Sequence, residues 1–88
     1  MNGDGVRIQV EYCVPCSYLL RTTWMVSEIL NDIQTEVASL ELIPSDSGRF
    51  EWTVDGELVY SKAATGRYPE LEELKEAVYA QLPEEAPA

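Results

Sequence analysis

The hydrophobic pattern of this chain changes period twice within its first half, and that change limits the folds open to it. Val6-Arg7-Ile8-Gln9-Val10-Glu11-Tyr12 alternates apolar and polar residues, as a strand with one buried face does. From Ser17 to about Ile33 the apolar residues Leu19, Leu20, Met25 or Val26, Ile29, Leu30 and Ile33 recur at helical spacing, with no glycine or proline among them. Val37 to Ile43 then returns to strand-like character. A helix of this length can serve as the crossover that two parallel strands need, and such crossovers are almost always right-handed.

The second half adds antiparallel pairing. Pro44-Ser45-Asp46-Ser47-Gly48 is a dense turn signal. Arg49 to Val54 alternates again, with Phe50, Trp52 and Val54 on one face. Asp55-Gly56 is the dipeptide favoured by a type I′ hairpin turn, because both central residues need positive φ, and Glu57 to Ser61 runs back. After a loop from Ala63 to Tyr68, Pro69 suits the first turn of a second helix. Glu70, Glu72 and Glu73 complement the positive end of its dipole, and Leu71, Leu74, Val78 and Leu82 form its inner stripe. The order is β-α-β-β-β-α: an α/β domain with a four-stranded mixed sheet covered by two helices. Pattern alone leaves open whether the second and third strands are neighbours or flank the first. The domain is expected over residues 6–82, with a disordered N-terminus at 1–5 and a flexible C-terminal tail at 83–88.

With 88 residues the chain has room for one domain. A domain of this size buries only about 60–65% of its unfolded surface and needs one efficient core. The chain shows no secretory signal and no apolar run near the ~20 residues that span a bilayer, so a cytoplasmic location is expected. Sixteen acidic residues face six basic ones, for a net charge of −10, which disfavours nucleic acid and anionic membranes as partners. Only Lys62 and Lys75 are lysines. That shortage favours adaptation to a high-salt cytoplasm, where screening reduces self-repulsion. On this reading the denaturation midpoint rises with added KCl, and a flat response contradicts it.

The only two cysteines stand in Glu11-Tyr12-Cys13-Val14-Pro15-Cys16-Ser17-Tyr18. The pattern puts Cys13 at the end of the first strand and Cys16 in the first turn of the helix. Residues three apart there have Cβ atoms about 5–6 Å from each other, close enough for a disulfide to open and close without large motion. Unpaired N–H groups at a helix start stabilise a thiolate, lowering thiol pKa values from about 8.5 into the ~3.5–7.5 range, and the thiolate is the nucleophile in disulfide exchange. Pro15 limits the loop and removes an N–H that would need a partner. Strand, CxxC and helix in succession make a redox motif. A mononuclear zinc site would need four ligands, and the chain has no histidine and no third cysteine. Two chains sharing four thiolates around zinc or an iron–sulfur cluster, or an inert pair, are the alternatives.

Three segments, Val10 to Arg21 (VEYCVPCSYLLR), Gly48 to Lys62 (GRFEWTVDGELVYSK) and Thr65 to Leu74 (TGRYPELEEL), together resemble the Rdx family, small proteins grouped with selenoproteins T, W and H. The resemblance implies a thioredoxin-like fold with strand order 2-1-3-4. In the selenium-containing relatives the second motif position, which matches Cys16, carries selenium. That match argues for Cys16 as the reactive residue, whereas the thioredoxin analogy makes Cys13 the attacking thiolate, so the order of attack stays open here.

Around the pair, Tyr12, Val14, Pro15 and Tyr18 are candidates for a shallow apolar surface on which a substrate rests, and Tyr12 is equally suited to pack between strand and helix. Trp52 and Phe50 read as core. Trp24 lies near the helix stripe and is expected to be partly exposed. Arg21, five residues past Cys16, is off its helix face and is not expected to be a thiolate partner. Lys62 and Arg67 match family positions and equally suit solvent-exposed charges.

The reading is a small cytoplasmic thiol–disulfide oxidoreductase working through Cys13 and Cys16 without metal or organic cofactor. Its expected partners are thiol or disulfide proteins, glutathione or another small thiol, and it acts as a monomer or weak dimer. A redox-sensing protein-binding module, or a dimer with a shared four-cysteine metal site, is the rival.

Overall fold

The computed structural model describes residues 5–82. The expected disordered start and flexible tail lie outside that range apart from Gly5. The backbone of Gly5 presses so closely on Glu36 and Ala38 that a Cβ would stand 2.5 Å from the Glu36 carbonyl oxygen.

Strand β1 (Val6–Cys13) is the centre of the molecule. It pairs in parallel with β2 (Val37–Ser45) on one edge and antiparallel with β3 (Phe50–Val54) on the other. Strand β4 (Glu57–Ser61) pairs antiparallel with β3, giving one four-stranded sheet of order β2-β1-β3-β4. This arrangement matches the 2-1-3-4 order and resolves the choice that pattern left open. The segment after β2 passes over the end of β1, where the Val14 N–H donates to the Ser45 carbonyl at 3.0 Å. Asp55 (φ 52°) and Gly56 (φ 83°) form the left-handed hairpin turn between β3 and β4. The Asp55 carboxylate also accepts from the Arg7 N–H at 2.9 Å, fastening the hairpin to β1.

Helix α1 (Leu19–Ile33) is the crossover from β1 to β2, followed by a 3-10 turn at Gln34–Glu36. A short helix α2 (Lys62–Thr65) occupies the start of what reads as a loop, and α3 (Leu71–Tyr79) closes the domain. The core is one cluster. Val6, Ile8 and Val10 of β1 and Phe50, Trp52 and Val54 of β3 meet Met25, Val26, Ile29 and Ile33 of α1 and Leu74 and Val78 of α3. Both long helices therefore cover the same face, and Arg7 and Gln9 of β1 project into solvent on the other. Burying this set at about 1.5–3 kcal/mol per large apolar side chain is the main favourable term in folding.

Three boundaries, and the facing of two leucines, differ from the pattern-based expectation. Helix α1 starts at Leu19 rather than Ser17, because Ser17 adopts φ 63°, which no helix can continue. Leu19 and Leu20, expected in the inner stripe, are 46% and 80% exposed. Strand β2 runs through Pro44 to Ser45, and an edge strand tolerates a proline because one row of its N–H groups has no ladder partner. Pro69 precedes α3 instead of opening it: Glu70 is the N-cap, and its side chain and that of Glu73 form a reciprocal capping box.

The two long helices are tied by polar contacts at their surface. The Tyr79 hydroxyl donates to Asp32 at 2.7 Å, and the Lys75 ammonium lies 3.2 Å from the same carboxylate. The hydrogen bond from Tyr79, then that from Lys75, holds the Asp32 carboxyl below its ordinary range. A depressed folded-state pKa stabilises the fold above the unfolded value of about 4, and that contribution is lost as pH falls through the lower folded value. Asp32→Asn should therefore lose less stability than the native chain when urea midpoints are compared below about pH 4. Parallel pH curves would show that the tie contributes nothing.

Candidate functional site

Cys13 and Cys16 are joined by a disulfide with their Cα atoms 5.4 Å apart, inside the range such bridges require. Cys13 is the last residue of β1: it pairs with Ser45 on one side, and the preceding Tyr12 pairs with both Pro44 and Phe50. Cys16 lies in a turn that separates strand from helix. The Ser17 N–H donates to the Val14 carbonyl at 3.0 Å, so Val14 to Ser17 is a β-turn with Pro15 at its second position, where a fixed φ near −65° is favoured. The Tyr18 N–H reaches back to the Cys13 carbonyl at 3.4 Å, closing the loop around both cysteines.

This corrects the expected position of Cys16, which precedes the helix by three residues instead of lying in its first turn. The helix dipole acts strongly only within its terminal turn, so its effect on Cys16 is smaller than a first-turn position would give. The start of α1 is nonetheless free of acidic side chains and carries no side-chain cap, which leaves its positive end facing the loop uncompensated.

The two sulfur-bearing residues differ sharply in access. Cys13 is fully buried, whereas Cys16 is exposed. Val14 at 51% exposure and Pro15 are also at the surface. Tyr12 is not: it is buried in the core-facing row of β1, so its packing role holds and it does not line the surface. Tyr18 is half-buried, with its ring centroid 4.3 Å from that of Tyr68.

Tyr68 is the residue that pattern reasoning passed over. Its ring meets Tyr18 on one side and Phe50 at 4.7 Å on another, and the Arg21 guanidinium sits 4.7 Å from its centroid. Burial, first among its causes, pushes the Tyr68 phenol well above the ordinary tyrosine range, so it stays neutral under the strand ends. Arg21 is thus engaged with an aromatic face. The segment bearing Tyr68 is held in turn by Tyr60, whose hydroxyl donates to the Arg67 carbonyl and lies 2.7 Å from the Thr65 hydroxyl. Arg67 makes a bidentate pair with Glu73, at 3.0 and 2.8 Å, which accounts for its charge structurally. Lys62, Arg49, Ser47, Gly48 and Ala63 line an open cleft of about 220 Å³ at the same end of the sheet. Among the described residues no group of three or more His, Cys, Asp or Glu side chains is gathered to hold a metal ion, and no helix is long and apolar enough to cross a membrane.

Comparison with known proteins agrees with this architecture. In Mus musculus and in Bos taurus, migration and invasion enhancer 1 is 35% identical to this chain over 78 residues, covering 86% of it. The chain matches 64% of the length of those curated relatives. Among solved structures, a selenoprotein W-related protein from Vibrio cholerae superposes with a TM-score of 0.81 at 30% identity, over 86% of this chain and 95% of that one. A Bordetella parapertussis protein superposes with a TM-score of 0.84 at 31% identity, over 89% and 99% of the two chains. The model of the Rdx family matches residues 7–80, a span that takes in the sheet apart from Val6, the cysteine loop and all of α3, and the chain belongs to that family.

Proposed function

We propose that this protein is a thiol–disulfide oxidoreductase in which Cys16 attacks and Cys13 resolves. The observation that carries the reading is the unequal access to a bonded pair: Cys16 is exposed while Cys13 is fully buried. An attacking thiolate has to meet a sulfur on another molecule, whereas a resolving thiolate needs to reach only its neighbour. The same assignment agrees with the selenium position that the family resemblance places at Cys16.

In the reduced protein the Cys16 thiolate attacks one sulfur of a substrate disulfide. The substrate S–S bond breaks, its other sulfur leaves as a thiolate and takes up a proton, and Cys16 is left in a mixed disulfide. Cys13 then loses its proton and attacks the Cys16 sulfur, expelling the second substrate thiolate and forming the Cys13–Cys16 disulfide. Two electrons have passed from the protein to the substrate, and a dithiol or two monothiols from outside must return them. Val14 and Pro15, exposed on the loop, and Tyr18, half-buried behind it, border the substrate sulfur. The proposed partners are thiol or disulfide proteins and small thiols.

Single-cysteine variants test the assignment. With Cys13→Ser, exposure to a small disulfide should leave a persistent mixed disulfide on Cys16, read by intact mass. With Cys16→Ser, the buried Cys13 thiol should alkylate at least about tenfold more slowly than Cys16 does in the reciprocal variant, with the difference vanishing in denaturant. Faster native reaction at Cys13 would reverse the roles.

A further inference from the structure

Among the described residues the large exposed apolar side chains are Val14, Leu19, Leu20, Trp24 and Leu58, at 51%, 46%, 80%, 51% and 57% exposure. Scattered exposed apolar residues need no explanation, but here all except Leu58 fall between Val14 and Trp24, on both sides of the exposed Cys16. Helix α1 buries Met25, Val26, Ile29 and Ile33 against the sheet, so Leu20 and Trp24, one turn apart on its outer side, add nothing to the core. The row continues to Glu28, also exposed and a turn further on, and runs about 12 Å along the helix from Leu20. The row thus begins at the cysteine loop, is apolar near the sulfur and is acidic at its far end.

Resting on the oxidoreductase reading above, we infer that the Leu20–Trp24–Glu28 row is a docking track for protein substrates whose reactive cysteine is flanked by apolar and basic residues. Apolar side chains of such a segment would cover Leu20 and Trp24, and a lysine or arginine would meet Glu28. The chain's net charge of −10 repels a second copy of itself and an anionic bilayer, and it attracts a basic segment. The one cation within the row's length, Arg21, is turned onto the Tyr68 ring and does not reverse that field. A small thiol bonded to Cys16 has no surface with which to cover this row. The track therefore selects for a polypeptide.

The test compares single-turnover reduction of three disulfides by the full, reduced chain. One is a peptide disulfide with leucine and lysine beside its cysteine, the second has glutamate in place of lysine, and the third is 2-hydroxyethyl disulfide. The native protein should favour the lysine peptide over the glutamate peptide by at least about tenfold, and Glu28→Lys should erase that preference. In a Leu20→Ser/Trp24→Ser double variant, the ratio of lysine-peptide to small-disulfide rate constants should fall about tenfold or more, the loss expected when such side chains no longer bury apolar area. Circular dichroism verifies that the variants fold. A ratio that stays constant overturns the track.

Binding of a cysteine-free lysine peptide to the oxidised protein, read by fluorescence anisotropy, separates the two levels of the argument. Native binding that disappears in the double variant supports the track even if no disulfide is reduced, in which case only the oxidoreductase reading fails. Equal binding by both proteins overturns the track whatever the chemistry does. Self-association or anionic-vesicle binding that is lost in the double variant would assign the row to those occupants and overturn it too.

Discussion

The pairing of β1 on both of its edges is the constraint on which the remaining structure depends. A strand bonded in parallel to β2 and antiparallel to β3 has no freedom to shift register, because a slip of one residue would turn Val6, Ile8 and Val10 out of the core. Its last residue, Cys13, is therefore held in a buried place, and the chain must leave the sheet immediately afterwards to reach α1. The cysteine loop is the product of that exit. One sulfur belongs to the rigid sheet and the other to a turn at the surface.

Under the proposed function that division gives the pair a direction: chemistry with another molecule would belong to the exposed turn, and closure of the ring to the strand end beneath it. The aromatic cluster of Tyr18, Phe50 and Tyr68 supports the loop from the side, and the Arg67–Glu73 pair and the Tyr60 hydroxyl fix the segment that delivers Tyr68.

Much of this was legible in the amino-acid order. The alternation of Val6 to Tyr12 and of Phe50 to Val54, the Asp55-Gly56 turn and the long period between them gave the element order and most of the core. Strand order needed the family resemblance, because a short turn after β2 suits either arrangement. The start of α1 was misplaced because serine does not announce a left-handed backbone, as glycine or asparagine would at Ser17. Leu20 stands among the apolar residues read at helical spacing with Ile29 and Ile33. Nine residues separate it from Ile29, about 180° around a helix, so an angular count places it outside. The four residues of α2 are too few to display a period, and Tyr68 stood as a lone aromatic in an irregular segment. Its partners come from α1 and β3, and no local pattern encodes such a meeting.

The most direct test of the central claim is an equilibrium thiol–disulfide titration of the purified protein, with alkylation and mass spectrometry reporting Cys13 and Cys16 together. A reversible two-electron couple within the thioredoxin and glutaredoxin range of about −200 to −270 mV is the expected result, since it lets the pair exchange electrons with cellular thiols. A pair that never closes, or one that closes beyond the reach of those reductants, would contradict the account.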